Sequence, residues 1–209
     1  MIAAREDQRA FLNRYYGVSR YFYDATRKYY LFGRDETLRE IAADRRWTKL
    51  LEIGPGTGRN LARMHRLRPD AELGGVEASD AMLEHARKRC PHARLEHGFA
   101  EDASLADMLS GPPDRILFSY CLSMVEERHK ALAHTRAALA PGGEVIVVDF
   151  ADFEGLPEGF SRLFRAYLGA FHVHPLDEAT LADATSVRFG PRHYYAVARF
   201  GPLRDALLA

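Results

Sequence analysis

The stretch LEIGPGTGRN, residues 51–60, constrains this chain more than any other. It follows an apolar run, spaces three glycines two residues apart and leads into a helix-favouring segment. A chain that leaves a strand, turns within a few residues and enters a helix is a βα unit. Glycines permit the tight turn and the close approach of a ligand to the backbone, and open α/β sheets bind ligands at that edge. The spacing then separates ligand classes. A dinucleotide fingerprint needs G-x-G-x-x-G, and Arg59 occupies its third glycine slot. A Walker loop needs Gly-Lys-Ser/Thr, which does not follow. What is present is E-x-G-x-G-x-G: Glu52, Gly54, Gly56 and Gly58.

The remainder of the chain extends the βα pattern. Apolar runs predict strands over residues 49–54, 71–77, 94–98, 115–120 and 144–150. Helices are expected between them over 59–68, 79–89, 102–110 and 126–140, the last stopped by Pro141-Gly142-Gly143. Strands alternating with helices mean a mostly parallel sheet covered on both faces. The tail differs: a helix over 161–171 precedes two strands, 186–189 and 193–200, joined through Gly190-Pro191-Arg192 as an antiparallel hairpin at the sheet edge. No repeat or linker divides the chain. The expected organisation is an N-terminal helical cap, residues 1–46, on one compact α/β unit, residues 47–209.

The E-x-G-x-G-x-G pattern resembles the first motif of the class I S-adenosylmethionine-dependent methyltransferases. The resemblance implies a Rossmann-like seven-stranded α/β sheet, mostly parallel with an antiparallel last strand. Their cofactor carries an ammonium, a carboxylate and a ribose diol, and no phosphate. Glu52 beside the loop suits the cationic end, with Gly54, Gly56, Thr57 and Gly58 forming the turn. Glu77, in GVEASDAM, ends the second strand and suits the two ribose hydroxyls, with Ala78 beside it and Met82 placed to pack on adenine. In HGFAEDA, residues 97–103, many relatives carry an acidic residue where this chain has Phe99. Phe99 is expected as an apolar wall, with Ala100 and Glu101 framing the ring; either Glu101 or Asp102 touches it, and Asp102 is alternatively an N-cap for the next helix. Ser119 and Tyr120, leaving the fourth strand, face the reactive methyl. Cys121 reads as a small buried thiol, not a nucleophile.

The other informative stretch is YDATRKYYLFGRDE, residues 23–36. On one helix, Phe11, Tyr15, Val18, Phe22, Ala25 and Tyr29 form an amphipathic stripe. Tyr16, Arg20, Tyr23, Arg27, Tyr30 and Arg34 form a second, alternating aromatic and cation. The second reads either as a solvated face or as a lid whose tyrosines and arginines meet an anionic or amphipathic substrate. The stretch resembles the N-terminal signature of the betaine-lipid methyltransferases, and SYCLSM (119–124) and FHVHPL (171–176) are similar to that family's pattern. The resemblance implies N-methylation of diacylglyceryl homoserine to diacylglyceryl-N,N,N-trimethylhomoserine. Under it Tyr23, Thr26, Arg27 and Tyr30 contact the cofactor or headgroup, with Arg27 on a carboxylate of either. His172 and His174 lie near the substrate entrance, and Tyr23, Tyr120 or His172 relays a proton. The reaction is in-line attack of a neutral amine on a sulfonium methyl, with no metal.

Composition excludes little else. Lys+Arg and Asp+Glu balance at 29 each, which argues against a nucleic-acid partner. Two distant cysteines and a charged start with no apolar leader point to the cytoplasm. No apolar run reaches the ~20 residues that span a bilayer. Residues 2–46 carry ten Lys/Arg against seven Asp/Glu, a slight basic lean that suits peripheral contact with an inner membrane face. The expected partners are a glycerolipid at the membrane surface and the enzyme that makes diacylglyceryl homoserine. The competing readings are an N-methyltransferase for phosphatidylethanolamine or a small amine, and a cofactor-binding subunit without chemistry of its own.

Overall fold

A computed structural model describes residues 31–203. After α1 (Arg34–Ala43), the βα pattern runs β1 (Lys49–Ile53), α2 (Arg59–Leu67), β2 (Glu72–Glu77), α3 (Asp80–Arg89), β3 (Arg94–His97), β4 (Arg115–Ser119), α4 (Arg128–Ala137) and β5 (Glu144–Phe150). The tail adds α5 (Glu158–Gly169), α6 (Glu178–Leu181), β6 (Ser186–Phe189) and β7 (Tyr195–Phe200). The seven strands lie in the order β3-β2-β1-β4-β5-β7-β6. β1 to β5 are parallel, and β7 runs antiparallel to both β5 and β6. The topological switch lies between β1 and β4, the pair that flanks the glycine loop.

The central strands are legible because they are covered twice. Leu50, Leu117, Ile146 and Val148 pack on one face with Leu38, Ile41, Leu61, Met64 and Leu83 of α1 to α3. Leu51, Ile53, Ile116, Phe118, Val145 and Val147 pack on the other with Met108 and with Ala131 and Leu132 of α4. Strands buried on both faces are apolar throughout and do not alternate. The edge strands are more exposed, β6 along its whole length.

Two expectations need correction. Residues 102–110 form turns, not a helix. Leu105, Met108 and Leu109 are buried and imitate helical spacing. The intervening Asp and Ser side chains compete for backbone groups, Gly111 and two prolines follow, and the Glu72 carboxylate holds Ser110 through its N–H at 2.9 Å. Asp102 therefore caps no helix. The helix expected through Arg34 is also interrupted. Gly33 adopts a left-handed φ of 75°, and a Cβ there would lie 2.2 Å from the Tyr195 ring. Arg34 opens a new helix. The expected stripes upstream, and Tyr23, Thr26, Arg27 and Tyr30, lie outside the described residues.

The described part of the expected cap is tied into the sheet. Trp47 is fully buried, donates from Nε1 to the Ile41 carbonyl at 2.7 Å and lies 4.3 Å below the Arg68 guanidinium. Arg68 donates in turn to the carbonyls of Asp44 and Trp47 at 2.9 Å. Beneath them, buried Arg115 bridges Asp44 at 2.8 Å and Glu144 at 3.1 Å. Trp47→Ala removes this plug and leaves the buried guanidinium without its ring. Loss of about 3–5 kcal/mol is expected, read as a lowered urea midpoint with unchanged slope; an unchanged midpoint shows that α1 contributes little.

Candidate active site

The glycine loop is shaped by a carboxylate. Gly54, Gly56 and Gly58 all have positive φ, at 66°, 56° and 77°. This turns the Gly56 N–H inward, where it donates to Glu77 Oε2 at 2.8 Å, while Ser79 N–H donates to Oε1 at 2.9 Å. A Cβ added to Gly56 would meet nothing within 4 Å. It would project into open space, the arrangement a ligand lying on the backbone needs. Gly58 serves a different purpose. A Cβ there would sit 2.9 Å from Cys90 Sγ and 3.2 Å from Ala86 Cα, so this glycine packs α2 against α3. The expected cofactor role of Gly58 is corrected accordingly: it does not line the cavity.

One cavity opens at the C-terminal ends of β1, β2 and β4. Glu52, Gly54, Gly56, Thr57, Glu77, Ala78, Met82, Ala100, Glu101, Ser119 and Tyr120, all expected from the sequence, line it together. Phe99 forms part of the wall, as anticipated. Of the two acidic candidates near the adenine end, Glu101 lines the cavity and Asp102 does not. Neither His172 nor His174 is part of the lining. His174 is tethered through its backbone, its N–H donating to the Ser123 carbonyl at 2.7 Å. Sequence reasoning missed two participants. Asn60 faces Glu52, and its signal was in the quoted loop, two residues beyond the last glycine. Arg34 also lines the cavity; it is the one member of the aromatic-cationic stripe that lies within the described residues.

The buried polar atoms here are unevenly satisfied. Asn60 Nδ2 donates to Glu52 Oε1 at 2.7 Å, but Glu52 Oε2, Asn60 Oδ1, Ser119 Oγ and Arg34 Nε are buried with no hydrogen-bond partner among the described residues. Buried polar groups are rarely left so, and each such case points to something absent. The charges fit an amino acid with a nucleoside attached. Open acceptors on Glu52 and Asn60 suit an ammonium, and Arg34 suits a carboxylate. Glu77, whose oxygens each retain accepting capacity, suits a diol. Burial pushes the Glu52 carboxyl up to about 8, against the Asn60 hydrogen bond and the charge of Arg34. Burial also raises Glu77, opposed by the N–H groups of Ser79, Gly56 and Ala78. Burial, then the nearby Arg59, lowers Arg34. An incoming ammonium and carboxylate relieve these opposite displacements at once.

Tyr120 is held in an unusual way. It is buried with φ 54°, and its hydroxyl donates to the Phe32 carbonyl at 2.6 Å. Burial first, then the charge of Asp149, raises its pKa well above 10. The bond ties the end of β4 to the chain that precedes α1. Cys121 is likewise pushed well up by burial, as a packing thiol. Beside the cavity, Asp35 takes Arg59, itself part of the lining, at 2.9 Å and Arg63 at 3.2 Å, fixing the start of α2 to α1.

Comparison with known proteins agrees with this geometry. Residues 51–145 match the family described as methyltransferase domain. A demethylmenaquinone methyltransferase of Thermus thermophilus is 30% identical over 152 residues, 69% of this chain and 67% of that protein. A ubiquinone/menaquinone biosynthesis C-methyltransferase, UbiE, of Desulfotalea psychrophila is 30% identical over 131 residues, 61% of this chain and 53% of that one. The chain thus spans about half to two thirds of the length of these curated relatives. Among solved structures it is similar to CalS10 of Micromonospora echinaspora, an amino pentose methyltransferase with S-adenosylmethionine bound (TM-score 0.50, 27% identity, 60% of this chain and 55% of that one). A Thermotoga maritima S-adenosylmethionine-dependent methyltransferase, described as a possible histamine N-methyltransferase, shares the fold (TM-score 0.66, 19% identity, 90% and 98% covered).

Two outcomes are expected. Glu52 titrates higher folded than unfolded, so between its ordinary value of 4.5 and about 8 the folded state holds more protons. The empty protein therefore loses stability as pH rises through that window, by at most about 1.4 kcal/mol per unit. Thermal melts from pH 5 to 8 should show a fall that Glu52→Gln flattens; parallel profiles for the two proteins would dissociate Glu52 from the effect. Glu77→Ala should weaken binding of S-adenosylhomocysteine on the order of 100-fold, since two hydrogen bonds to a charged group are lost. Unchanged affinity by calorimetry would remove Glu77 from the ribose site.

Proposed function

This chain belongs to the class I S-adenosylmethionine-dependent methyltransferases, and on that premise we propose that it trimethylates the amine of diacylglyceryl homoserine, giving the betaine lipid diacylglyceryl-N,N,N-trimethylhomoserine. The observation that carries the reading is the position of the described end of YDATRKYYLFGRDE. Leu31 and Arg34 line the cavity, and the Phe32 carbonyl receives the Tyr120 hydroxyl. The segment that resembles a betaine-lipid signature is thus part of the cavity wall. In this reading its earlier residues, Tyr23, Thr26, Arg27 and Tyr30, contact the cofactor or the homoserine headgroup.

Bound S-adenosylmethionine supplies a methyl on a sulfonium, open to in-line attack by a neutral amine. The chain's contribution is placement and desolvation. Glu52 and Asn60 hold the ammonium, Arg34 the carboxylate and Glu77 the ribose diol. Met82, fully buried, and Phe99 flank the adenine. Ser119 and Tyr120, which line the cavity, would border the reacting end. Aromatic faces near the amine favour the charge that becomes permanent after the third transfer. Of the expected proton-relay residues Tyr23, Tyr120 and His172, Tyr120 lines the cavity and His172 does not.

The named relatives favour a second reading, C-methylation of an isoprenoid quinol ring. Phosphatidylethanolamine and small amines remain rivals that use the same cofactor residues. Lipid mass spectrometry separates them in a host lacking betaine lipid, expressing this chain with and without an enzyme that makes diacylglyceryl homoserine. Mono-, di- and trimethylated homoserine lipid is expected only with both proteins. Unmethylated homoserine lipid accumulating beside folded protein would sink the proposal; methylated phosphatidylethanolamine or C-methylated quinone in the same extract would identify which rival replaces it.

A further inference from the structure

We infer that the outer edge of α5, together with Phe32, is the surface by which this protein sits on a lipid bilayer. The inference deepens the lipid reading and rests on it for the cavity's orientation, while the docking itself is measurable without turnover.

The helix EGFSRLFRAYLG has two apolar edges. The inner one packs: Leu168 is buried, and the Phe164 ring lies 5.2 Å from Phe153 and 5.5 Å from Tyr194. The outer one does not. Phe160, Leu163 and Tyr167 recur at steps of three and four, forming one stripe, and are 52%, 70% and 51% exposed; Phe32 is 53% exposed. These side chains are not scattered. Phe160 and Tyr167 stack on Phe164 at 6.0 and 6.2 Å, and Phe32 meets Tyr194 edge-on at 5.3 Å. Phe164 lies 6.0 Å from Phe150, which touches Tyr120 in the cavity wall at 4.8 Å. A continuous path of rings runs from the cavity to the exposed stripe.

Two features choose a bilayer over another protein. Half-exposed side chains of this size offer on the order of 100 Å² each, so the four present about 400 Å², half of the roughly 800 Å² per partner that a stable protein interface buries. The same helix also carries exposed Arg162, while Arg165, exposed too, donates to the Asp152 carbonyl and lies 5.9 Å from the Phe153 ring. Aromatic and aliphatic side chains that enter the headgroup boundary, with cations on the same helix to meet anionic lipid, are the composition of an interfacial helix. No helix among the described residues is long and apolar enough to cross a membrane.

The test is co-sedimentation of the full chain with phosphatidylcholine vesicles, with and without an equal part of phosphatidylglycerol. Wild type should partition onto the anionic vesicles, and Phe160→Ser/Leu163→Ser should lower the partition at least about tenfold. Should that double variant fail to fold, Leu163→Asp alone, at the most exposed position, is expected to lower it as well. Detergent-dispersed homoserine lipid should be methylated equally by variant and wild type, with only vesicle turnover reduced. The inference is overturned if variants bind as wild type does, if wild type stays in the supernatant with both vesicles, or if ultracentrifugation shows a dimer that these substitutions dissociate. Vesicle binding that depends on α5 without turnover on any lipid would leave the docking intact and remove the substrate reading.

Discussion

Two carboxyl groups buried side by side, at the C-terminal ends of β1 and β2, set the terms for everything around them. A buried carboxylate needs donors or it takes up a proton. Glu77 receives them from the backbone, and this explains the loop: only left-handed residues turn the Gly56 N–H onto its oxygen at 2.8 Å. Glu52 receives just one hydrogen bond, from Asn60. Its second oxygen is left open, and its pKa accordingly rises to about 8. The asymmetry has a functional sense. Glu77 is pre-formed to hold neutral hydroxyls, whereas Glu52 is incomplete until a cation arrives.

The far wall of the cavity comes from chain that precedes the sheet. Tyr120, strained at the end of β4, reaches the Phe32 carbonyl; Gly33 lies against Tyr195; Asp35 clamps Arg59 and Arg63. Arg59 is the first residue of the helix that the glycine loop opens. The segment that would recognise a substrate and the loop that holds the cofactor therefore share one set of fixed contacts. A displacement of Asp35 would carry the start of α2 with it, because the two are joined by a bidentate ion pair to Arg59, a geometry stiffer than a single charge contact.

How much of this was legible depends on the kind of information. β1, β4 and β5 announced themselves because strands covered on both faces are unbroken apolar runs, and the predicted bounds of β5 and β6 are those observed. The cofactor residues were legible because the chemistry of the ligand dictates residue types at strand ends. The segment after β3 misled, since Leu105, Met108 and Leu109 satisfy a helical period while their Asp and Ser neighbours do not favour a helix. The start of α1 at Arg34 was not legible, because periodicity does not register a glycine held left-handed against a ring from β7, more than 150 positions away in sequence. Gly58 was miscounted for a related reason: a glycine needed for helix packing and one needed for ligand approach look alike in a motif.

The division of labour within the fold also bears on which comparisons inform which question. The methyltransferase-domain match spans residues 51–145, and this interval holds Glu52, the glycine loop, Glu77, Met82, Glu101 and Tyr120. Arg34 and Phe32 precede it, and Phe150, Phe153, α5 and Tyr194 follow it. Of the flanks, only the preceding one reaches the cavity lining, through Leu31 and Arg34; the rings of Phe32, Tyr194, Phe164 and Phe150 then join the two flanks in the folded chain. Relatives that share the interval share the reason for binding S-adenosylmethionine. In the lipid reading proposed above, the aromatic path from the Tyr120 wall to the exposed edge of α5 is what an amphiphile with a polar head and apolar tails would follow.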